Sequence, residues 1–329
     1  MLTGYRAPWW LPGGNAQTIW AALAAQRHLG VPPAWRRERW SAPDGDFVDV
    51  DHSAHTVPAT APLLVLFHGL EGSSASQYAV AFADFARAQG CAMAVPHFRG
   101  CSGELNWGPR AYHSGDFEEI DWILKRLAAQ HAARPVIAVG VSLGGNALLR
   151  WAGEMGGSAA QTVKAVAAVC SPLDLAAGGH AIGRGFNRLV YTRMFLRSMV
   201  PKALEKWAQH PGLFSKEALM RARDLYAFDN VFTAPLHGFR DTDDYWARAS
   251  AKPVLAGIRV PALALNALND PFVPASSLPT ASQAGAHVRL CHPAQGGHVG
   301  FPSAQSALDF SGHVRTMPDA VGRWLLAQL

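Results

Sequence analysis

Between residues 63 and 170, short apolar runs alternate with stretches in which apolar side chains recur every three or four positions. The runs at 63–67, 91–95, 136–140 and 163–170 have the length of strands buried on both faces. The stretches between them carry single stripes, Tyr78, Phe82 and Phe85 in one and Phe117, Ile120, Leu124 and Leu127 in another. A helix lays such a stripe on a sheet, so the pattern predicts β-α-β units around a mostly parallel central sheet flanked by helices. Upstream, segments 37–40 and 47–51 flank the turn-rich Ser41-Ala42-Pro43-Asp44-Gly45-Asp46, which predicts an antiparallel pair opening the sheet.

The pattern breaks between about 174 and 250, where Arg, Trp, Phe and Met are dense and no strand shows; strand-like runs return at 262–266 and 288–291. The chain therefore reads as one α/β core in two parts, residues 1–173 and 251–329, interrupted by a helical cap insertion at 174–250. In the insertion Phe186, Leu189, Val190, Met194, Phe195 and Met199 spread around most of a helix at about 100° per residue, which argues against a helix lying on a membrane surface. The position of the insertion predicts a lid over the site that supplies much of an acyl pocket, with Phe186, Phe195, Phe214, Phe228 and Phe239 as apolar surface, most of which packs the lid onto the core.

Gly140-Val141-Ser142-Leu143-Gly144-Gly145 follows an apolar strand and precedes the helical Asn146-Ala147-Leu148-Leu149-Arg150-Trp151. A serine at such a strand-turn-helix junction is exposed on a strained turn, and a Cβ at Gly140 or Gly144 would collide with the backbone packed around it. Serine is a weak nucleophile unless a base takes its proton and a carboxylate orients that base, and behind such an elbow the chain order is serine, acid, histidine. Asp270 follows the returning strand and His298 the last one, so Ser142, Asp270 and His298 are the expected nucleophile, acid and base. Asp241, Asp243 and Asp244 precede the returning strand, and His292 sits at a strand end before Pro293, so these compete poorly. An oxyanion also needs two backbone N–H donors. Leu143 would supply one and Leu70, in His68-Gly69-Leu70-Glu71-Gly72, the other, with His68 holding that loop by hydrogen bonds and Gly69 completing it.

These motifs resemble the α/β-hydrolase family typified by the bacterial YheT-like hydrolases and their eukaryotic lipid-cleaving relatives. The resemblance spans nearly the whole chain. It rests on Pro8-Trp9-Trp10-Leu11-Pro12 with Gln17-Thr18, on the 68–73 and 140–146 segments, and on His97-Phe98-Arg99-Gly100-Cys101-Ser102-Gly103. Phe228-Asp229, Thr233-Ala234-Pro235-Leu236-His237-Gly238-Phe239 and Asn269-Asp270-Pro271 complete it. It implies the α/β-hydrolase fold and hydrolysis of carboxylic esters, some members acting on acylglycerols or phospholipids, with no metal or organic cofactor. An acyltransferase using the same acyl-enzyme is the nearest competing reading, and a non-catalytic ligand-binding module on this fold is a more distant one.

Composition narrows the partners. The net charge is +5, yet no run of five or more Lys/Arg occurs, and the densest cluster, Trp35-Arg36-Arg37-Glu38-Arg39-Trp40, reads as a solvated strand rim, so nucleic acid is not an expected partner. Cys91, Cys101, Cys170 and Cys291 form no CxxC pair, which fits reduced thiols in a cytoplasmic protein. The first residues carry no basic segment followed by a long apolar stretch, so no signal peptide is expected, and no window reaches about 18 uninterrupted apolar residues. The expected partner is a small-molecule or lipid ester, met with no transmembrane segment but with room for transient membrane contact. The oligomeric state is not encoded in these patterns.

Overall fold

The computed structural model describes residues 2–304, 306 and 310–329. Eight strands form one sheet: β1 Trp35–Ser41, β2 Phe47–Ser53, β3 Leu63–Phe67, β4 Ala92–Pro96, β5 Val136–Val141, β6 Ala165–Val169, β7 Ala262–Leu265 and β8 Val288–Cys291. Their order is β1-β2-β4-β3-β5-β6-β7-β8. β1 and β2 are the antiparallel pair at one edge, β2 meets β4 antiparallel, and every later pairing is parallel.

Alternate residues of the central strands feed two cores, because successive side chains of a strand point to opposite faces. Leu63, Val65 and Phe67 of β3 pack with Ile120, Leu124 and Leu127 of α3 (Phe117–Gln130) and with Leu148 and Trp151 of α4 (Leu143–Met155). Leu64 and Leu66 face the other way, onto Tyr78, Phe82 and Phe85 of α2 (Gln77–Ala88) and Val321 and Leu325 of the last helix, Thr316–Leu326.

Some strands begin or end elsewhere than their runs predict, β4 being shifted by one residue and β6 and β7 shortened. The Cys91 N–H returns to the Ala86 carbonyl at 2.8 Å, so β4 begins at Ala92. The Val163 N–H bonds back to Ala159 at 2.9 Å, and Cys170 has φ 50°, so β6 spans only Ala165–Val169. The Arg37 and Arg39 side chains are exposed on the edge strand β1, as a solvated rim implies. Their guanidiniums lie 2.8 Å from the buried Asp51 and Asp49 carboxylates, their register partners on β2.

Before β1 lies a helix that the apolar pattern does not announce, α1 at Gly13–Leu23. It buries Gln17, Thr18 and Ala21 in place of a large apolar stripe. Between β6 and β7 the long connection is helical, from Leu175–Ile182 to Thr242–Ala249. Met199, Leu219, Leu225, Phe228 and Phe232 form its own small core, which packs on Leu70 and Ala111 of the loops above the sheet. No helix among the described residues is long and apolar enough to cross a membrane.

Candidate active site

Ser142 sits between β5 and α4 with φ 53° and ψ −119°, a conformation that side chains other than glycine rarely adopt. The neighbouring glycines allow it. A Cβ on Gly140 would stand 2.4 Å from the Gly144 carbonyl oxygen, and one on Gly144 would stand 2.4 Å from the carbonyl oxygens of both Phe67 and His68. Gly145 is constrained as well, since its Cβ would meet the Ser171 hydroxyl at 1.9 Å.

Three loops converge on this serine. The His298 ring reaches Ser142 Oγ through Nε2 at 2.9 Å and Asp270 Oδ2 through Nδ1 at 2.9 Å. A carboxylate only accepts, so Nδ1 carries the imidazole proton and Nε2 is left to accept from the serine hydroxyl. Asp270 is buried and accepts from the Phe272 N–H at 2.8 Å, which fixes its carboxyl plane. Phe272 also covers the His298 ring, the two centroids 4.1 Å apart.

Leu70 and Leu143 both line the cavity that contains Ser142. Among the described residues neither amide N–H is engaged, and Leu143 opens a helix, where the first N–H groups lack an intrahelical acceptor. Gly69 brings the Leu70 loop close, as a Cβ there would lie 3.2 Å from Ser142 Cβ. His68 is fully buried beneath the loop, and burial pushes its pKa down to about 3. Its Nε2 accepts from the Phe98 N–H at 3.0 Å, so Nδ1 is the protonated nitrogen and donates to the Gly69 carbonyl at 2.8 Å.

The competing residues go elsewhere. Asp241 caps the helix Thr242–Ala249 and Asp243 accepts from the Tyr226 hydroxyl on the surface. His292 does not line the cavity.

Two residues of α1 tie the acid loop and the histidine loop together, and neither was assigned a role by its sequence. Gln17 Oε1 accepts from Asn269 Nδ2 at 3.0 Å and from the Gly296 N–H at 2.9 Å. Thr18 Oγ1 accepts from the His298 N–H at 2.8 Å while donating to the Gly14 carbonyl at 2.7 Å. Asn269 completes the clasp by accepting from the Gly297 N–H at 3.0 Å. A fully buried, fully bonded glutamine on a short helix of weak apolar pattern is the signal that could have marked them, but burial is not visible in the sequence.

The cavity wall is mostly apolar. Leu70, Leu175, Ile182, Phe195, Met199 and Phe228 contribute to it, whereas Phe186, Phe214 and Phe239 do not, so two of the five phenylalanines at 174–250 reach the cavity. Charge is also present and paired. Lys202 lies 2.9 Å from Glu71, and the Lys206 ammonium donates to the carbonyls of Asn106 and Gly108, burial pushing its pKa down to about 8. Asp229 accepts from Thr233 and Trp246, and burial pushes its carboxyl up to about 6.

Among the described residues, the grouping that could place metal-binding atoms together is Cys170, Asp270 and His298, within 4.8 Å of one another. Both His298 nitrogens are already engaged, and burial raises the Cys170 thiol well above its ordinary pKa. The donor set suits proton transfer better than metal binding.

Comparison with known proteins gives the family. Residues 62–304 match the family model described as alpha/beta hydrolase fold. The chain is 38% identical over 279 residues to the Escherichia coli (strain K12) esterase YheT, covering 84% of this chain and 81% of that one. It is 31% identical to the phospholipase ABHD3 of Mus musculus, covering 82% of this chain and 67% of the relative. Among solved structures, mouse alpha/beta hydrolase domain-containing protein 10 superposes with a TM-score of 0.53 at 14% identity, over 89% of this chain and all of that one. An esterase of Pyrococcus furiosus superposes with a TM-score of 0.54 at 12% identity, over 93% of this chain and 96% of that one. The parallel sheet, the serine held at its strained turn and the match across most of the chain lead to one conclusion: the chain belongs to the alpha/beta hydrolase fold family, and within it to the YheT-like hydrolases.

Proposed function

We propose that the protein hydrolyses carboxylic esters through Ser142, His298 and Asp270. The observation that carries this reading is the unbroken relay in which His298 bridges Ser142 Oγ and the Asp270 carboxylate at 2.9 Å on each side. Ser142 Oγ attacks the ester carbonyl as its proton passes to His298 Nε2, and the N–H groups of Leu70 and Leu143 receive the oxyanion. His298 then hands the proton to the leaving alcohol. Water, deprotonated by the same nitrogen, releases the acid and regenerates the serine. Asp270 keeps the ring in the required tautomer and balances the charge that the imidazole acquires.

Residues 174–250 act as a cap that supplies much of the acyl pocket, a role supported by Phe195, Met199 and Phe228 on the cavity wall. The substrate class is an ester of short to medium acyl chain or an acylglycerol-like lipid, which the names of the esterase and phospholipase relatives support. The four buried, unpaired cysteines support a reducing, cytoplasmic setting.

The reading is tested with an ester series of increasing acyl length. Each CH₂ buried on an apolar wall is worth about 0.8 kcal/mol, roughly fourfold in kcat/KM, until the pocket is filled. A rise followed by a sharp end is expected. No turnover of any ester, or a flat profile, would contradict it.

Gln17 and Thr18 are positioning residues in this mechanism. Gln17→Ala removes two of the bonds that hold the acid and histidine loops together, leaving the one from the Gly297 N–H to Asn269, and misplacement of about 1 Å can cost about 100-fold in rate. The expected result is a fall in kcat of about 10- to 100-fold with KM nearly unchanged. A drop in melting temperature with kcat intact would reduce Gln17 to a folding role.

A further inference from the structure

The helix that walls the cavity has a second face. Ile182, Phe195, Met199, Lys202, Ala203 and Lys206 line the cavity shared with Ser142. On the other side of the same stretch, Phe186, Leu189, Val190 and Met194 are 51%, 57%, 36% and 54% exposed. The helix runs without a break from Gly185 to Gln209, through a π turn at Arg188–Thr192. At about 100° per residue the exposed Phe186, Leu189, Val190, Arg193, Met194 and Arg197 fall within one arc of roughly 140°. The apolar residues that spread around the helix in sequence are thus two sets, one turned inward to the cavity and one turned outward to solvent.

The stretch that carries the outer face is also basic. From residue 183 to 204 the chain carries Arg184, Arg188, Arg193, Arg197 and Lys202 and no Asp or Glu. Lys202 is paired with Glu71, but none of the four arginines takes part in an ion pair among the described residues. Arg193 and Arg197 lie within the apolar arc, and Arg184 and Arg188 are exposed at the same end of the helix but outside it. Unneutralised guanidiniums beside four exposed apolar side chains are not what a solvated surface selects, since the apolar groups gain nothing from water and the charges repel one another. They complement a surface that is apolar underneath and negatively charged at its rim.

We infer that this outer face docks on an anionic lipid surface, Phe186, Leu189, Val190 and Met194 entering the acyl boundary while the arginines meet lipid phosphates. Docking in this pose lays against the headgroups the helix whose other face lines the cavity. The purpose of the face rests on the ester-hydrolase reading, but its existence is measured separately.

The test is sedimentation of the full chain with vesicles of phosphatidylcholine alone or mixed with phosphatidylglycerol, at low and high salt. It is run on the native chain, on Phe186→Gln/Leu189→Gln and on Arg193→Gln/Arg197→Gln, beside hydrolysis of a soluble short-chain ester. The native chain should bind the anionic vesicles about tenfold or more tightly than the neutral ones, and salt should erase the difference. Each double variant should lose about tenfold or more in vesicle binding, while soluble-ester turnover stays within about twofold of native. Equal binding to both vesicle types, or double variants that bind like the native chain, would overturn the inference. So would light scattering that finds a native dimer split by Phe186→Gln/Leu189→Gln, which would make the face a contact between copies of this chain. Vesicle binding without soluble-ester turnover would sustain the docking face and sink the ester reading instead.

Discussion

Ser142→Ala should abolish ester hydrolysis, with kcat falling on the order of 10⁴-fold or more, while the protein unfolds cooperatively at nearly its native melting temperature. The hydroxyl removed makes one side-chain hydrogen bond, to His298 Nε2, and packs no core, so almost nothing structural is lost with it. The backbone at 142 keeps its positive φ because glycines 140 and 144 hold the surrounding chain close, not because of the serine side chain. Steady-state kinetics beside a thermal melt separates the two effects. Turnover above about one percent of native in a folded Ser142→Ala protein would mean that another nucleophile does the chemistry.

His298→Ala should cost nearly as much as Ser142→Ala, and Ser142→Ala/His298→Ala should be no worse than either alone. A nucleophile without its base and a base without its nucleophile fail at the same step, so their losses do not add. Asp270→Asn is expected to be severe but less so, since the ring then loses its orienting carboxylate yet retains its contact with Phe272. A double mutant whose loss equals the product of the single losses would show that the two side chains act independently and would break the relay.

Much of this arrangement is legible in the sequence because its causes are local. The run at 63–67 coincides with β3, since a strand buried along its whole length must be apolar throughout, and the run at 288–291 coincides with β8, an edge strand that buries Val288 and Cys291 at its ends and exposes Arg289. The glycines around Ser142 announce a close approach that no other residue permits. The serine, acid and histidine that chain order singles out are brought within hydrogen-bond distance, each from a loop that follows a strand.

What stays hidden depends on distant contacts. Gln17 and Thr18 grip loops about 250 to 280 positions further on, through polar bonds that leave no periodic trace. The apolar residues of the helix at 185–209 spread around it because one face serves the cavity and the other is exposed, and hydrophobicity alone cannot separate the two. The same blindness explains the phenylalanines of the insertion. Phe195 and Phe228 reach the cavity, Phe214 turns into an edge contact with Phe232, and Phe239 packs against Tyr245 and His113.

The activation of Ser142 by His298 is the central claim, and a fluorophosphonate tests it most directly. Attack by an activated serine oxygen on phosphorus expels fluoride and leaves a stable phosphonyl ester that peptide mass spectrometry can locate. The account predicts one label per chain, on Ser142, absent from Ser142→Ala and formed at least about 100-fold more slowly in His298→Ala. A label on any other residue, or equally fast labelling of Ser142 without His298, would contradict it.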